Sequence, residues 1–354
     1  MSDAALLEDA ATGIFRDHYT GDLLVAAKHA GWCAGLWKVL EETGMSLVSV
    51  PEDSGGTGGS VQEALTVIRL AGKYCAAVPL ADTALLAGWA LARAGLPVPK
   101  GPLAFAVAGT TSPLTVKQEG GGWKLSGTLG RVPWARFARA LVIVAEHEDR
   151  CVVASVDPAQ YKVSPGINLA GEARDDVVME NALVSGARVR AAPPGVSVEN
   201  AWQRGALSRA VMMCGALDRI LEMSVQYCRQ RVQFGRPLGK FQAIQQELAR
   251  LAGDAAIATA CAMSAAGALD SGTQEFDIAV AKVRAGEAAQ SGASIAHQVH
   301  GAIGVTEEYL LHHSTLRLWS WRSEYGSEAH WSERLGRTAI EGGSTWLWNT
   351  LTRH

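Results

Sequence analysis

The chain has 354 residues, a formal net charge of −3 and 19% charged residues, long enough for two or three cores and without the basic arm or like-charge block of a nucleic-acid-binding protein. Its six cysteines show no Cys-x-x-Cys spacing, which argues against a zinc site or a disulfide framework and for reduced thiols. The acidic start Met1-Ser2-Asp3 lacks the pattern of a signal peptide, and no uninterrupted apolar run approaches the ~20 residues of a membrane span, so a cytoplasmic protein with no membrane partner is expected.

Residues 1–100 carry Ala- and Leu-rich stretches at helical spacing, including 23–27 and 81–94, and are expected to form a helical domain. The segment Val50-Pro51-Glu52-Asp53-Ser54-Gly55-Gly56-Thr57-Gly58-Gly59 interrupts them. It lacks a Gly-Lys-Ser/Thr ending and a preceding apolar strand, so it reads as a plain loop and not as a phosphate cradle. In 101–195 the short apolar runs 103–108, 141–145 and 151–156 alternate with Gly120 to Gly122, Asp157-Pro158 and Ser164-Pro165-Gly166. That is the pattern of a β domain, closed by Pro193-Pro194-Gly195. Residues 196–354 return to helix, with long stretches at 206–231, 239–269 and 276–299 and a shorter set within 307–350, expected to pack as a four-helix bundle. The fold class is therefore α+β. Five tryptophans (Trp319, Trp321, Trp331, Trp346, Trp348) crowd the C-terminal end and are assigned to packing, not to binding.

The most informative stretch runs from Tyr227 to Gln242. It gathers Arg229, Arg231 and Arg236 around Gly235-Arg236-Pro237 at the opening of a helix whose apolar positions Phe241, Ile244, Leu248 and Leu251 share one face. Guanidinium groups at such a corner can fork onto diphosphate oxygens, although an Arg-rich turn by itself is more often a solvated surface. The wording Arg-x-Gln-Phe-Gly-x-Pro-Leu-x-x-Phe-Gln resembles the signature of the acyl-CoA dehydrogenases, flavoenzymes that desaturate acyl-CoA thioesters between the α and β carbons. The loop Pro51-Glu52-x-x-Gly55-Gly56-x-Gly58, the segment 70–80 and the order of helical, β and bundle regions are similar to the same family.

A second segment, His297-Gln298-Val299-His300-Gly301-Ala302-Ile303-Gly304, is similar to the family pattern Gln-x-x-Gly-Gly-x-Gly. In the family these two segments meet the adenosine-diphosphate half of an FAD that reaches across a dimer interface. The resemblance thus implies that Arg231 pairs with the pyrophosphate, Gln233 hydrogen-bonds it and Phe234 packs on the cofactor. Gln298, Gly301 and Ala302 would line the adenosine end, with Ala302 standing where a second glycine is usual. His297 and His300 are read as helix-end residues. With no Glu-x-x-His pair in any helix, no metal is expected.

The resemblance fails where chemistry is needed. The family's base is a Glu in one of two places, which fall here on Tyr325 or Gly326 and on Gly205-Ala206. Glu324 stands one or two residues off the first place, a weak candidate because one residue turns a side chain by about 100°. The acidic Thr-Glu-Pro loop that meets the flavin ring is represented only by Ala108-Gly109-Thr110-Thr111-Ser112-Pro113-Leu114-Thr115, and Trp134 loosely matches the family's Trp-Ile-Thr strand. The pattern resembles the short, degenerate partner in heteromeric bacterial acyl-CoA dehydrogenases, α2β2 assemblies that include enzymes acting on CoA-activated steroid side chains and bind two FAD. The expectation is an FAD-binding subunit that works with a homologous catalytic subunit, with a bulky ring-bearing thioester as substrate by analogy. The alternatives are a self-sufficient dehydrogenase using Glu324 or another acid, and a bundle that binds acyl-CoA or a partner without flavin.

Overall fold

The computed structural model describes residues 3–109, 114–269 and 274–352. The chain divides into two compact units, Met1–Ser208 and Arg209–His354, and the boundary falls inside a single helix.

The first unit opens with helices α1 (Asp3–His18), α2 (Gly21–Ala30), α3 (Ala34–Glu42) and α4 (Val61–Lys73), which bury Phe15, Leu36, Leu40, Leu65 and Ile68. The glycine-rich loop ahead of α4 turns its amides on its own chain: Gly56, Gly58 and Gly59 donate to the carbonyls of Pro51, Val50 and Val48. It then runs into a capping box in which Ser60 Oγ accepts from the Glu63 amide at 3.2 Å and Glu63 Oε2 accepts from the Ser60 amide at 2.7 Å. With its amides so engaged, this loop is the plain connection its wording predicts. The helical run after it holds an expanded π-helical stretch, Asp82–Gly88, before α5 (Trp89–Arg93). Thr83 anchors that stretch, its hydroxyl accepting from the Leu103 amide at 2.9 Å.

Two four-stranded sheets follow. One has the order β1-β4-β5-β8, from β1 (Leu103–Ala108), β4 (Ala140–His147), β5 (Arg150–Val156) and β8 (Val189–Ala191); only β1 and β4 run parallel. The other is antiparallel with the order β2-β3-β7-β6, from β2 (Leu114–Glu119), β3 (Gly122–Pro133), β7 (Arg174–Ser185) and β6 (Lys162–Ser164). Their inward side chains form one core that includes Leu125, Leu129, Leu141, Ile143, Val152, Val177 and Met179. The apolar runs seen in the sequence are strands β1, β4 and β5, the first of them at the edge of its sheet, buried on both faces. β7 is one of the two longest strands, yet the charges Arg174, Asp175, Asp176 and Glu180 break up its apolar residues and conceal it.

Helix α6 (Val198–Gln230) runs 33 residues from the first unit into the second. The second unit continues with α7 (Gln242–Ala268), α8 (Gln274–His300), α9 (Leu311–Ser323) and α10 (Glu328–Leu351). Its core closes on Gly292 of α8, where a Cβ would stand 2.9 Å from both Leu217 of α6 and Leu251 of α7. Only glycine allows that approach of three helices. On α7 the predicted face sinks progressively into the bundle: Phe241, Ile244 and Leu248 are half-buried and Leu251 is fully buried. Among the described residues α7 is also the one helix long and apolar enough to cross a membrane, by length and composition only. Its alanines Ala255, Ala258, Ala262 and Ala265 are buried within the protein. Trp321 and Trp331 are core residues, whereas Trp319 and Trp348 are exposed.

Candidate cofactor corner and base position

The corner after α6 is a two-residue hairpin. Strands β9 (Val232–Gln233) and β10 (Arg236–Pro237) pair antiparallel, and the tip residues Phe234 and Gly235 both have positive φ, 51° and 79°. Two left-handed residues in sequence are what a tight hairpin of this twist requires. For an aromatic residue such backbone is uncommon. Here it holds Phe234 out in solvent, 91% exposed. The base of the hairpin is tied at both ends, since the Arg231 amide donates to the Tyr227 carbonyl at 2.8 Å and the Leu238 amide to the Arg231 carbonyl at 2.9 Å. Arg236 lies 4.1 Å over the Phe241 ring, so its guanidinium is occupied by a cation–π contact. Arg231 and Gln233 remain exposed.

The second predicted segment is the end of α8. Gln298, Gly301 and Ala302 are exposed, and a one-turn 3-10 stretch, Gly301–Val305, carries the chain away. Nothing lies within 4 Å of a Cβ placed on Gly301 or on Gly235. The two segments are brought together in the second unit by Tyr227, one turn before Arg231, which stacks on His300 at 4.5 Å between ring centroids. A guanidinium, two carboxamides, open backbone at Gly301 and an exposed aromatic ring fit a ligand with a diphosphate and a flat base.

The base position has a different character. Tyr325 and Gly326 form the turn between α9 and α10, both left-handed with φ of 55° and 94°. Beside them Glu324 Oε2 accepts a 2.6 Å bond from Arg209 Nε of α6; the Arg209 side chain is 1% exposed and the Glu324 side chain 15%. The guanidinium also lies 5.3 Å from the centre of the Tyr325 ring. From α8, Lys282 Nζ donates to the carbonyls of Arg322 at 2.6 Å and Gly326 at 2.7 Å. Trp331 Nε1 donates to the Tyr325 carbonyl at 3.0 Å, and Arg322 Nε to Glu328 Oε1 at 2.6 Å. A Cβ on Gly286 would collide with the Glu328 carboxylate, which therefore needs glycine beneath it. The turn is bolted in place by structural bonds. Sequence reasoning missed Lys282, whose signal was a lysine inside the apolar stripe Ile278, Ala279, Ala281, Ala285.

Burial pushes the Lys282 ammonium down from 10.5 to about 7, against the pull of Glu328 and Glu324. The folded value lies below the unfolded one, so the cost of keeping this lysine charged is complete below about pH 7 and disappears above about 10.5. Stability should therefore rise from pH 7 to 9.5 by more in the natural chain than in Lys282→Met, as urea denaturation at the two pH values will measure. Equal rises in the two proteins would contradict the shift.

In the β region, Trp134 is buried at the end of β3 with φ of 61°. Residues 110–113, the centre of the predicted acidic-loop position, lie outside the described residues, and the flanking Gly109 and Leu114 carry no acid. Gly205, at the second base position, is buried.

Residues 196–338 match the family described as acyl-CoA dehydrogenase, C-terminal domain. Among curated relatives, the acyl-CoA dehydrogenase FadE27 of Mycobacterium tuberculosis is 29% identical over 341 residues, covering 86% of this chain and 88% of that protein. Among solved structures, a chain of the ChsE4–ChsE5 complex from Mycobacterium tuberculosis superposes with a TM-score of 0.89 at 26% identity, over 97% of this chain and 99% of that one. Residues 196–338 are an acyl-CoA dehydrogenase C-terminal domain, and the chain as a whole is similar to acyl-CoA dehydrogenases. A variant of the Tcur3481–Tcur3483 steroid ACAD is similar as well, with a TM-score of 0.86 and 26% identity over 96% of this chain and 98% of that one.

FAD is the cofactor of this acyl-CoA dehydrogenase family. The family's reaction requires a carboxylate to take the α-proton. In this chain Glu324 carries the Arg209 bond.

Proposed function

We propose that this chain is the subunit without a catalytic base in a heteromeric acyl-CoA dehydrogenase, acting with a homologous catalytic subunit as an α2β2 assembly in the cytoplasm. Its own residues bind and orient. Arg231 and Gln233 hold the pyrophosphate of FAD, Phe234 packs on it, and Gln298, Gly301 and Ala302 line its adenosine end. FAD, when bound, supplies the acceptor for the hydride that leaves the β-carbon. The carboxylate that removes the α-proton belongs to the partner.

The observation that carries this reading is the 2.6 Å Arg209–Glu324 ion pair. A general base must offer a free lone pair to the substrate, within about 3 Å of the proton it takes. Glu324 instead commits Oε2 to the buried Arg209 guanidinium, which holds the carboxylate in a structural ion pair. The cofactor-facing side chains are by contrast left exposed. The similarity to chains of the ChsE4–ChsE5 complex and of a steroid ACAD supports both the heteromer and a bulky, ring-bearing acyl-CoA as the substrate class.

Glu324→Gln, assayed for acyl-CoA-dependent dye reduction in the co-purified complex, should leave kcat within about twofold. Replacing the partner's own base should abolish turnover. A loss of about 10²-fold or more from Glu324→Gln, the usual cost of removing a general base, would instead make this chain catalytic.

A further inference from the structure

Gly301 is bracketed by a small aromatic knot. His300 closes α8, and Tyr309 lies at the far end of the loop, just before α9 begins at Leu311. His300 Nδ1 stands 2.8 Å from the Ala296 carbonyl, which can only accept, so this nitrogen carries the proton. In the neutral ring Nε2 is then an acceptor, and it takes the Tyr309 hydroxyl at 3.0 Å. The bond ties the start of the loop to its end. Tyr227 completes the knot from α6, stacked on His300 at 4.5 Å and edge-on to Tyr309 at 6.4 Å. Through its carbonyl Tyr227 also receives the Arg231 amide, so the knot reaches the hairpin corner by one backbone hydrogen bond.

We propose that Tyr309, His300 and Tyr227 act as a clasp that fixes the spacing between the Arg231–Gln233 corner and the Gln298–Gly301–Ala302 loop, and thereby sets how tightly the adenosine-diphosphate half of the cofactor is held. The proposal rests on the reading above for its ligand, but not for its geometry. These are positioning residues: a loop closed at both ends presents its amides and Gln298 in one arrangement, and the entropy of ordering them is spent before the ligand arrives.

The donor–acceptor order just given has His300 neutral. Its side chain is 3% exposed, and burial pushes its pKa below the usual 6.5, while the Ala296 and Met223 carbonyls pull the other way. The groups around it are Tyr227 and Arg219 from α6, His297 on its own helix, His312 from α9 beside His297, and Tyr309. Once protonated, His300 donates from both ring nitrogens, and the Tyr309 hydroxyl turns from donor to acceptor with the bond reversed.

The test uses the full chain in its co-purified complex, with FAD titrated by fluorescence and amide exchange followed over 301–308. Tyr309→Phe keeps the ring and should weaken FAD about fivefold, the usual worth of one neutral hydrogen bond, while speeding exchange across the loop. His300→Gln, which can still donate to Ala296 and accept from Tyr309, should bind FAD within about twofold of the natural chain at neutral pH. His300→Ala should be weaker than either at neutral pH. The clasp is refuted if Tyr309→Phe changes neither FAD affinity nor exchange, or if His300→Gln binds FAD as weakly as His300→Ala at neutral pH. Arg231→Ala separates the two claims: if it lowers FAD affinity while the clasp variants do not, only the clasp fails. If it leaves FAD unchanged, the cofactor reading fails and exchange over 301–308 still decides the clasp.

Discussion

Replacing Glu324 with alanine should destabilise the chain by about 3 kcal/mol, near the low end of the cost of breaking a buried ion pair because Glu324 retains some solvent contact. The cost arises on the other side of the bond. Arg209 is 1% exposed, and its Nε–H points at Glu324 Oε2 at 2.6 Å. Removing that carboxylate strips a 2.6 Å charge-assisted bond from a guanidinium held in the interior beside Met212 Sδ and the Tyr325 ring. Urea denaturation of the natural chain and the variant, read as a change in midpoint at constant m-value, measures the difference. Glu324→Gln keeps an acceptor and should lose less, about half as much. A control comes from the exposed pair Lys162–Glu180, also short at 2.8 Å but with side chains 74% and 65% exposed. Glu180→Ala should cost no more than about 0.5 kcal/mol. Equal losses at the two sites would mean that the Arg209–Glu324 pair is not the buried anchor described here.

Truncating Arg231 should weaken FAD binding to the complex by about 10–100-fold. The guanidinium is exposed in the absence of ligand, so no internal bond has to break before it meets a phosphate. A charge-assisted bond from a guanidinium to an oxyanion contributes about 1.5–3 kcal/mol, which corresponds to that range. Arg231→Lys should fall between the natural chain and Arg231→Ala, since it keeps the charge but loses the two-pronged geometry. The experiment belongs at fixed, moderate ionic strength, because salt screens an exposed charge and narrows the difference. Gln298→Ala removes only a neutral donor and should cost about fivefold. An FAD dissociation constant unaffected by Arg231→Ala would remove the corner from the site.

The parts of this protein legible in its sequence are those whose cause is local. β1, β4 and β5 read as strands because burial on both faces leaves a continuous apolar run. The corner read as a turn because Gly235 and Pro237 punctuate it, and its link to a cofactor came from a resemblance carried by Arg231, Gln233 and Phe234. β7 did not read, because the consecutive charges Arg174, Asp175 and Asp176, followed by Glu180, break up its apolar residues. Its partner β3 is interrupted by register shifts, one after Leu125 and one after Leu129, which blur the alternation further. Non-local pairings are also invisible along a chain. Arg209 and Glu324 are 115 positions apart and Lys282 and Gly326 are 44, so nothing near either residue announces its partner. The absence of an acid at Tyr325–Gly326 was readable. That the neighbouring Glu324 is bound to an arginine was not, and this bond turns a weak candidate base into a structural residue.

The central claim is that this chain serves a cofactor whose reactive half belongs to another subunit. Its most direct test is the flavin content of the purified protein, by absorbance after release, for the full chain expressed alone and for the complex captured with its homologous partner. The account predicts almost no FAD on the chain alone and one FAD for each pair of unlike chains in the complex, all of it bleached by acyl-CoA. A stoichiometric flavin on the chain by itself, bleached by acyl-CoA without a partner, would contradict it.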